Sequence, residues 1–439
     1  MLQVREYGHI TTDTSMTSTL DCAVVSPDTF DWLQRLTGEW GKGSPIAIIN
    51  GHRSLKLESY VGFLQSPNGE SIEILPKTRL GVEDPLMARR ILQRMLIASL
   101  GVKPRNVGTA ELLRMPEPLH EWIFNQFLTE LQHLVSKGLR FDYQRMNEES
   151  RFIRGQLRLD QQQRQLPGRQ HLFHISHDIF TPDRLENRLL KTALSYILYS
   201  CKSAENWRLA NELAHQLDEI SIEQKPLQRI KHWQSSKLMQ LYNDIYPWCE
   251  LVLEKLNPNF QQGYHRGIAM LFPMERLFEK YVEVSLRRNL PSSYRLQAQA
   301  SSKSLMKHQF ESSDIATSIF QLRPDLLLKS AEGTQVLDTK WKLLDQQKAN
   351  TKDKYGIDES DLYQMFAYGH KYQNGYGHMM LIYPRNDRFK SPLPVFRYSD
   401  SLGIWVVPFC LETGSLISGE WQTYFCENNR QNTIIGSNS

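Results

Sequence analysis

At 439 residues, with 40% hydrophobic and 23% charged side chains, the chain has the make-up of a folded protein of about two or three domains, which excludes a disordered one. Fifty-two Lys and Arg against 48 Asp and Glu leave a net charge of +4, too small to indicate a nucleic-acid partner by itself. Five scattered cysteines, with no C-x-x-C pair, speak against a disulfide framework or a structural zinc site, and no stretch approaches the roughly 18 apolar residues of a membrane span, so a reducing, cytoplasmic setting is expected.

In chain order, residues 45–50, 55–64 and 71–76 are short β-like runs, with Pro67-Asn68-Gly69 as a hairpin signal between the last two. The period changes at Asp84, which with Pro85 reads as the N-cap and first residue of a helix stopped by Gly101. From about 105 to 265 the chain reads as mostly helical. One amphipathic helix covers 119–136, and another is started by Thr181-Pro182-Asp183, with Leu185, Leu189 and Tyr196 as core positions. Between them residues 151–159 are β-like and basic, and residues 160–168 read as an exposed loop. Trp207, Trp233 and Trp248 are most simply helix packing. The third region opens with a helix over 273–288 and a strand over 294–299. Two strands around a Glu332-Gly333 turn follow, then a helix from about 360 to 372 and a buried strand over 378–384. The helix after the hairpin makes one βαβ crossover, so a mixed sheet flanked by helices is expected.

The hairpin carries the chemistry. Reflecting it about a point between Ala331 and Glu332 places Asp325 opposite Asp338. Directly opposed strand residues have Cβ atoms about 4.5–5.5 Å apart, so the two carboxylates can share one divalent cation. Lys340 follows Asp338 by two residues and leaves the same face. Mg²⁺ takes hard oxygen ligands, usually one or two carboxylates completed by phosphate and water, which suits phosphodiester cleavage. Lys340 would orient or help deprotonate the attacking water and neutralise charge at phosphorus. An ordinary hairpin with solvated charges fits the same residues equally well. Downstream, Gln364 and Tyr368 share one helical face at i, i+4.

This Gln364…Tyr368 element resembles the Q-x-x-x-Y motif that lines the site in RecB-like members of the PD-(D/E)xK nuclease superfamily. An ordered set of further segments is more specific: Arg154-Gly155-Gln156-Leu157, residues 187–191 (Asn-Arg-Leu-Leu-Lys), residues 277–281 (Leu-Phe-Glu-Lys-Tyr), Arg323-Pro324-Asp325, residues 337–341 (Leu-Asp-Thr-Lys-Trp), residues 361–365 (Asp-Leu-Tyr-Gln-Met) and residues 381–384 (Leu-Ile-Tyr-Pro). Together they resemble the McrC family, the nuclease subunit of McrBC-type modification-dependent restriction systems, from about residue 85 onward. The β-rich start is similar to the longer members of that family.

The resemblance implies a multidomain α+β/α/β chain. Residues 1–100 would be a β-rich, partner-binding domain, residues 101–265 a mostly helical middle region, and residues 266–430 a PD-(D/E)xK endonuclease domain. Residues 431–439, rich in Asn and Ser, are expected to be a disordered tail. Asp325, Asp338 and Lys340 become the catalytic triplet, supported by Gln364 and Tyr368. Asp325 and Asp338 hold Mg²⁺ or Mn²⁺, with Glu279 as a third metal-shell acid; a solvated Glu279 paired with Arg276 or Lys280 is the alternative. The implied partners are double-stranded DNA carrying methylated cytosine and a McrB-like AAA+ hexamer that hydrolyses GTP, an activity this chain would stimulate. Gly38 to Ser44 is the nearest approach to a P-loop here and lacks its spacing, so GTP belongs to the partner only. A stand-alone RecB-like nuclease and a non-catalytic DNA-binding activator remain as alternative functions. His171, His174 and His177 have a spacing that suits no strand face and read as non-ligands. The arginines at 151, 154, 158, 164 and 169 suit phosphates or an acidic partner surface alike.

Overall fold

The computed structural model describes all residues except 41–43, 80–83, 103–116, 167, 170, 237–238, 257–266, 311–316, 332 and 426–439. The architecture is mixed α/β with several sheets, in two compact units: Met1–Pro116 with Met270–Ser439, and Glu117–Ala269. The tail at 431–439, residues 41–43 of the Gly38–Ser44 stretch, and Glu332, read as a turn residue, fall outside the described residues.

The first unit is organised by one large sheet, ordered Arg295–Ala298, Leu326–Ser330, Gly333–Thr339, Gly377–Pro384, Leu402–Cys410 and Phe396–Arg397. The hairpin Leu326–Ser330 with Gly333–Thr339 is antiparallel. Gly333–Thr339, Gly377–Pro384 and Leu402–Cys410 then run parallel. A parallel step needs a crossover, and the helix Glu359–Gln373 supplies it as the periodicity suggested. Strand Leu402–Cys410 was not among the expected elements. All nine of its residues are buried, the pattern of a strand covered on both faces. Val336, Leu381 and Val406 are fully buried at the sheet's centre, against Met365 and Tyr368 of the crossover helix. From the helix Met274–Asn289, the Phe278 ring meets the rings of Trp341 and Phe409.

Two four-stranded sheets complete this unit. In one, Leu2–Arg5 pairs parallel with Ser71–Leu75, which pairs antiparallel with Tyr60–Gln65 across the expected turn, where Gly69 takes φ 87°. Ile268–Pro273 lies beside Tyr60–Gln65, so close that a Cβ on Gly62 would stand 2.0 Å from the Met270 carbonyl oxygen. The other sheet is Cys22–Val24, His9–Thr11, Ser54–Leu57 and Ala47–Ile49. The helix Pro85–Leu100 starts and stops as read: Asp84 Oδ1 accepts from the Leu86 N–H at 3.0 Å, and Gly101 closes it at φ 67°.

The second unit packs the helices Leu119–Lys137, Leu185–Ser200, Ala204–Gln216 and Gln240–Lys255, and adds a three-stranded sheet. That sheet differs from expectation. Its long strands are Asp142–Ser150 and Phe173–Thr181, while the basic stretch read as β supplies only Gln156–Leu157, and the stretch read as a loop begins in the short helix Leu159–Gln162. Asp142–Ser150 is polar on both faces, so no period-2 signal marked it; the backbone ladder to Phe173–Thr181 holds it instead. In Leu185–Ser200 the buried side is Leu189, Leu190, Ala193, Leu194 and Ile197, with Leu185 and Tyr196 at its margin. Trp248 is buried as expected, whereas Trp207 is 54% exposed. His174 and His177 sit on Phe173–Thr181 beside Glu149 and Glu148, at 3.7 and 3.8 Å.

Candidate functional site

The hairpin register decides whether the two acids meet. Leu326 pairs with Leu337 and Ser330 with Gly333, so the same register carried one step further sets Asp325 across from Asp338. Gly333, read as a turn residue, is instead the first residue of the strand and pairs with Ser330, in the register counted from the sequence. Both acids stand at the open end of the hairpin, where helices Met274–Asn289 and Glu359–Gln373 flank strand Gly333–Thr339. Asp325 is fixed by Thr339, whose N–H and Oγ1 donate to Asp325 Oδ2 at 2.8 and 2.7 Å. Asp338 is 1% exposed. Lys340 Nζ lies 2.8 Å from Asp338 Oδ2, off the axis of a hydrogen bond, so the contact is a charge pair and Oδ2 accepts no aligned donor among the described residues.

Lys340 is held from its other side. Its Nζ donates to Gln364 Oε1 at 2.9 Å, and Asp361 Oδ1 stands 3.7 Å away. Gln364 Nε2 donates to Tyr368 Oη at 2.7 Å, and the Tyr368 hydroxyl donates to the Arg323 carbonyl at 3.0 Å. The i, i+4 pair expected on one helical face is therefore one hydrogen-bonded relay, ending next to the Arg323-Pro324-Asp325 segment. Tyr368 itself is buried under the site rather than lining it.

The electrostatics follow from burial and crowding. Asp338 is pushed up to about 7, first by burial and then by the charge of Asp325, with Lys340 opposing. Asp325 is raised by burial, against its hydrogen bonds from Thr339. Burial works against the charge on Lys340, but Asp338, Asp361 and Asp325 outweigh it and hold the ammonium above its ordinary value. Glu279 is raised by burial and by Asp325; its carboxylate accepts from Gln299 Nε2, not from Arg276 or Lys280.

These groups line one pocket of about 780 Å³, together with the N-terminal residues Glu6, Tyr7 and Lys77 and the flanking Glu275, Arg276, Trp341, Lys342 and Asp358. Seven carboxylates face four cations there. Such an excess of acid around one pocket fits a divalent cation, and the donors suit one: two hard carboxylates, one with a buried oxygen lacking an aligned donor. Among the described residues, no three His, Cys, Asp or Glu side chains form a ready metal cluster; Glu279 lines the same pocket as Asp325 and Asp338 and feels the charge of Asp325. The His171, His174 and His177 group forms no such cluster either. Asp361 and Thr339 were not singled out from sequence. Asp361 lies three residues before Gln364 on the same helical face, a spacing that could have marked it.

No helix among the described residues is long and apolar enough to cross a membrane. The sequence profile of the family described as McrBC 5-methylcytosine restriction system component matches residues 55–384. Among solved structures, a chain of the refined half-complex from the tetradecameric assembly of Thermococcus gammatolerans McrB AAA+ hexamers with bound McrC is similar at TM-score 0.67 and 17% identity, covering 97% of this chain and 98% of that one. A chain of the cryo-EM structure of the Thermococcus gammatolerans McrBC complex is similar at TM-score 0.50 and 20% identity, covering 66% of this chain and 88% of that one. At these identities the structural likeness is one of fold. No curated protein matches the chain. Since the profile spans well over half of the sequence, the chain belongs to the family of McrBC 5-methylcytosine restriction system components.

Proposed function

We propose that this chain is the Mg²⁺-dependent DNA endonuclease subunit of a McrBC-like restriction system, with its large sheet and flanking helices as a PD-(D/E)xK nuclease core. The observation that carries the reading is the convergence of Asp325, Asp338, Lys340 and Gln364, from three separate segments, in one acid-rich pocket. Asp325 and Asp338 would hold the metal, and Mn²⁺ suits the same oxygens. Bound there, Mg²⁺ would supply Lewis-acid stabilisation of charge at phosphorus and a more acidic water.

The chain's own groups do the rest. Thr339 fixes one oxygen of Asp325 and leaves the other available. Lys340, held cationic by its acidic neighbours, acts as a fixed positive charge beside the phosphate rather than as a proton acceptor. The relay sets its aim. Because the Tyr368 hydroxyl gives its proton to the Arg323 carbonyl, its oxygen accepts from Gln364 Nε2, which turns Gln364 Oε1 towards Lys340. Removing the Tyr368 hydroxyl frees that amide to flip.

The similar chain belongs to an assembly of McrB AAA+ hexamers with bound McrC. By extension, this chain works with a McrB-like GTPase on duplex DNA containing methylated cytosine, the GTP residing on the partner. Reconstitution with that partner, GTP and Mg²⁺ tests the reading. Asp338→Ala and Lys340→Ala should abolish cleavage and leave partner binding and GTPase stimulation intact. Full cleavage by either variant overturns the site assignment, and cleavage by the chain alone, without nucleotide, indicates a stand-alone nuclease.

A further inference from the structure

The pocket is not walled by the acid-bearing hairpin alone. Glu6 and Tyr7 enter it from the turn between strands Leu2–Arg5 and His9–Thr11, and Lys77 from just beyond Ser71–Leu75. Glu6 is fully buried, and its Oε1 accepts from Trp341 Nε1 at 2.7 Å and from the Lys77 N–H at 2.8 Å. One carboxylate thus ties the residue after Lys340 to the backbone that presents Lys77. Tyr7 holds φ 62° in a turn closed by the Gly8 N–H to the Arg5 carbonyl at 3.0 Å. That position favours Gly or Asn, so a bulky ring kept there, at the pocket wall, marks a constrained segment at a functional site.

Charge then singles out two residues. Of the four cations lining the pocket, Lys340 is engaged by Asp338 and Asp361, and Lys342 lies 2.7 Å from Asp358. Lys77 and Arg276 have no ion-pair partner among the described residues. A DNA strand that brings a phosphate to Asp325 and Asp338 carries its neighbouring phosphates into a rim dominated by carboxylates. Those phosphates need cations that are not already committed.

We propose that Lys77 and Arg276 contact the backbone phosphates flanking the scissile one, with Glu6 as the positioning residue that fixes Lys77. This rests on the nuclease reading and deepens it: the N-terminal part of the chain belongs to the DNA-cutting site, not only to partner engagement.

The test uses the full chain reconstituted with its AAA+ partner, GTP and Mg²⁺, reading cleavage against DNA concentration and salt. Lys77→Ala should raise KM for DNA by about tenfold, reduce the log–log salt slope by about one, and leave GTPase stimulation unchanged. Lys77→Arg should restore both DNA parameters, and Arg276→Ala should repeat the Lys77→Ala pattern. A wild-type KM and salt slope in Lys77→Ala overturns the proposal, whatever kcat does. So does a loss of GTPase stimulation with DNA parameters unchanged, which places Lys77 at the partner. Failure of the underlying nuclease reading shows separately, as full cutting by Asp338→Ala.

Discussion

Asp338→Asn probes the energetics of the site without its chemistry. In the metal-free protein burial and Asp325 hold the Asp338 carboxyl well above its ordinary value, up to about 7. The native state therefore retains a proton that the unfolded chain has lost, and native stability falls as pH rises from about 4 to 7. Each pH interval of one across that window costs about 1.4 kcal/mol, so the carboxylate destabilises the fold by at most roughly 4 kcal/mol at pH 8. Asparagine removes that cost but also the charge pair with Lys340, whose side chain is 24% exposed and keeps Asp361 nearby. The attraction of Lys340 is already contained in that raised value, so the gain at pH 8 is bounded by the same roughly 4 kcal/mol, and allowing about half of it for the poorer fit of a neutral amide leaves roughly 2 kcal/mol. For a unit of this size that is a rise in Tm of about 4 °C. Below pH 4 both forms are neutral and the gain should vanish or reverse. Differential scanning calorimetry of both proteins with EDTA, at pH 5 and pH 8, reads the difference. Adding Mg²⁺ should reverse the order at pH 8, raising Tm of the native chain more than that of the variant. A variant less stable than the native chain at pH 8 without metal would show that the acids are not in electrostatic conflict, and the metal argument would lose its basis.

Since Asp338 must lose its proton to accept a cation, apparent Mg²⁺ affinity should fall as pH drops below about 7, with proton release visible by calorimetry in buffers of different ionisation enthalpy; a pH-independent affinity would contradict the pairing. Tyr368→Phe removes the hydroxyl that orients Gln364, and single-turnover cleavage should slow by about tenfold with KM for DNA little changed. Gly62→Ala forces a Cβ to 2.0 Å from the Met270 carbonyl oxygen at a φ of 138°, and should cost about 3 kcal/mol or more in chemical denaturation, whereas the unobstructed Gly38→Ala, in the helix Pro27–Glu39, should stabilise by up to about 1 kcal/mol.

What the sequence revealed followed the range of its signals. The hairpin register needed only the turn position and strict alternation, both local, so Asp325 and Asp338 could be paired by counting. The Gln364–Tyr368 face was legible because a helix repeats over a short distance. Leu402–Cys410 carried a usable signal in its continuous apolar run, yet no polar motif drew attention to it. Asp142–Ser150 carried none, since neither of its faces is buried. The N-terminal share of the pocket was out of reach for a different reason. Glu6 and Trp341 are 335 positions apart, and no local pattern links a turn near the start of the chain to the residue after Lys340.

That distant contact bears on how cutting could be governed. Six of the pocket's lining residues, Asp338 to Leu343, lie on one continuous stretch, and Trp341 within it is held by Glu6 from the N-terminal turn. Glu6 is fully buried and lies on the turn between Leu2–Arg5 and His9–Thr11, so displacing that turn would break its hydrogen bonds from the Trp341 indole N–H and the Lys77 N–H and leave those buried donors unmet. Such a displacement is costly, which argues that the N-terminal turn and the Lys340 segment move as one body. If a GTP-driven partner engages the N-terminal part, any force it applies there reaches the acid pocket through a rigid hydrogen-bonded link, not through a flexible tether. On the proposed function, a partner that engages the N-terminal turn would be coupled to the acid pocket through Glu6, Lys77 and Trp341.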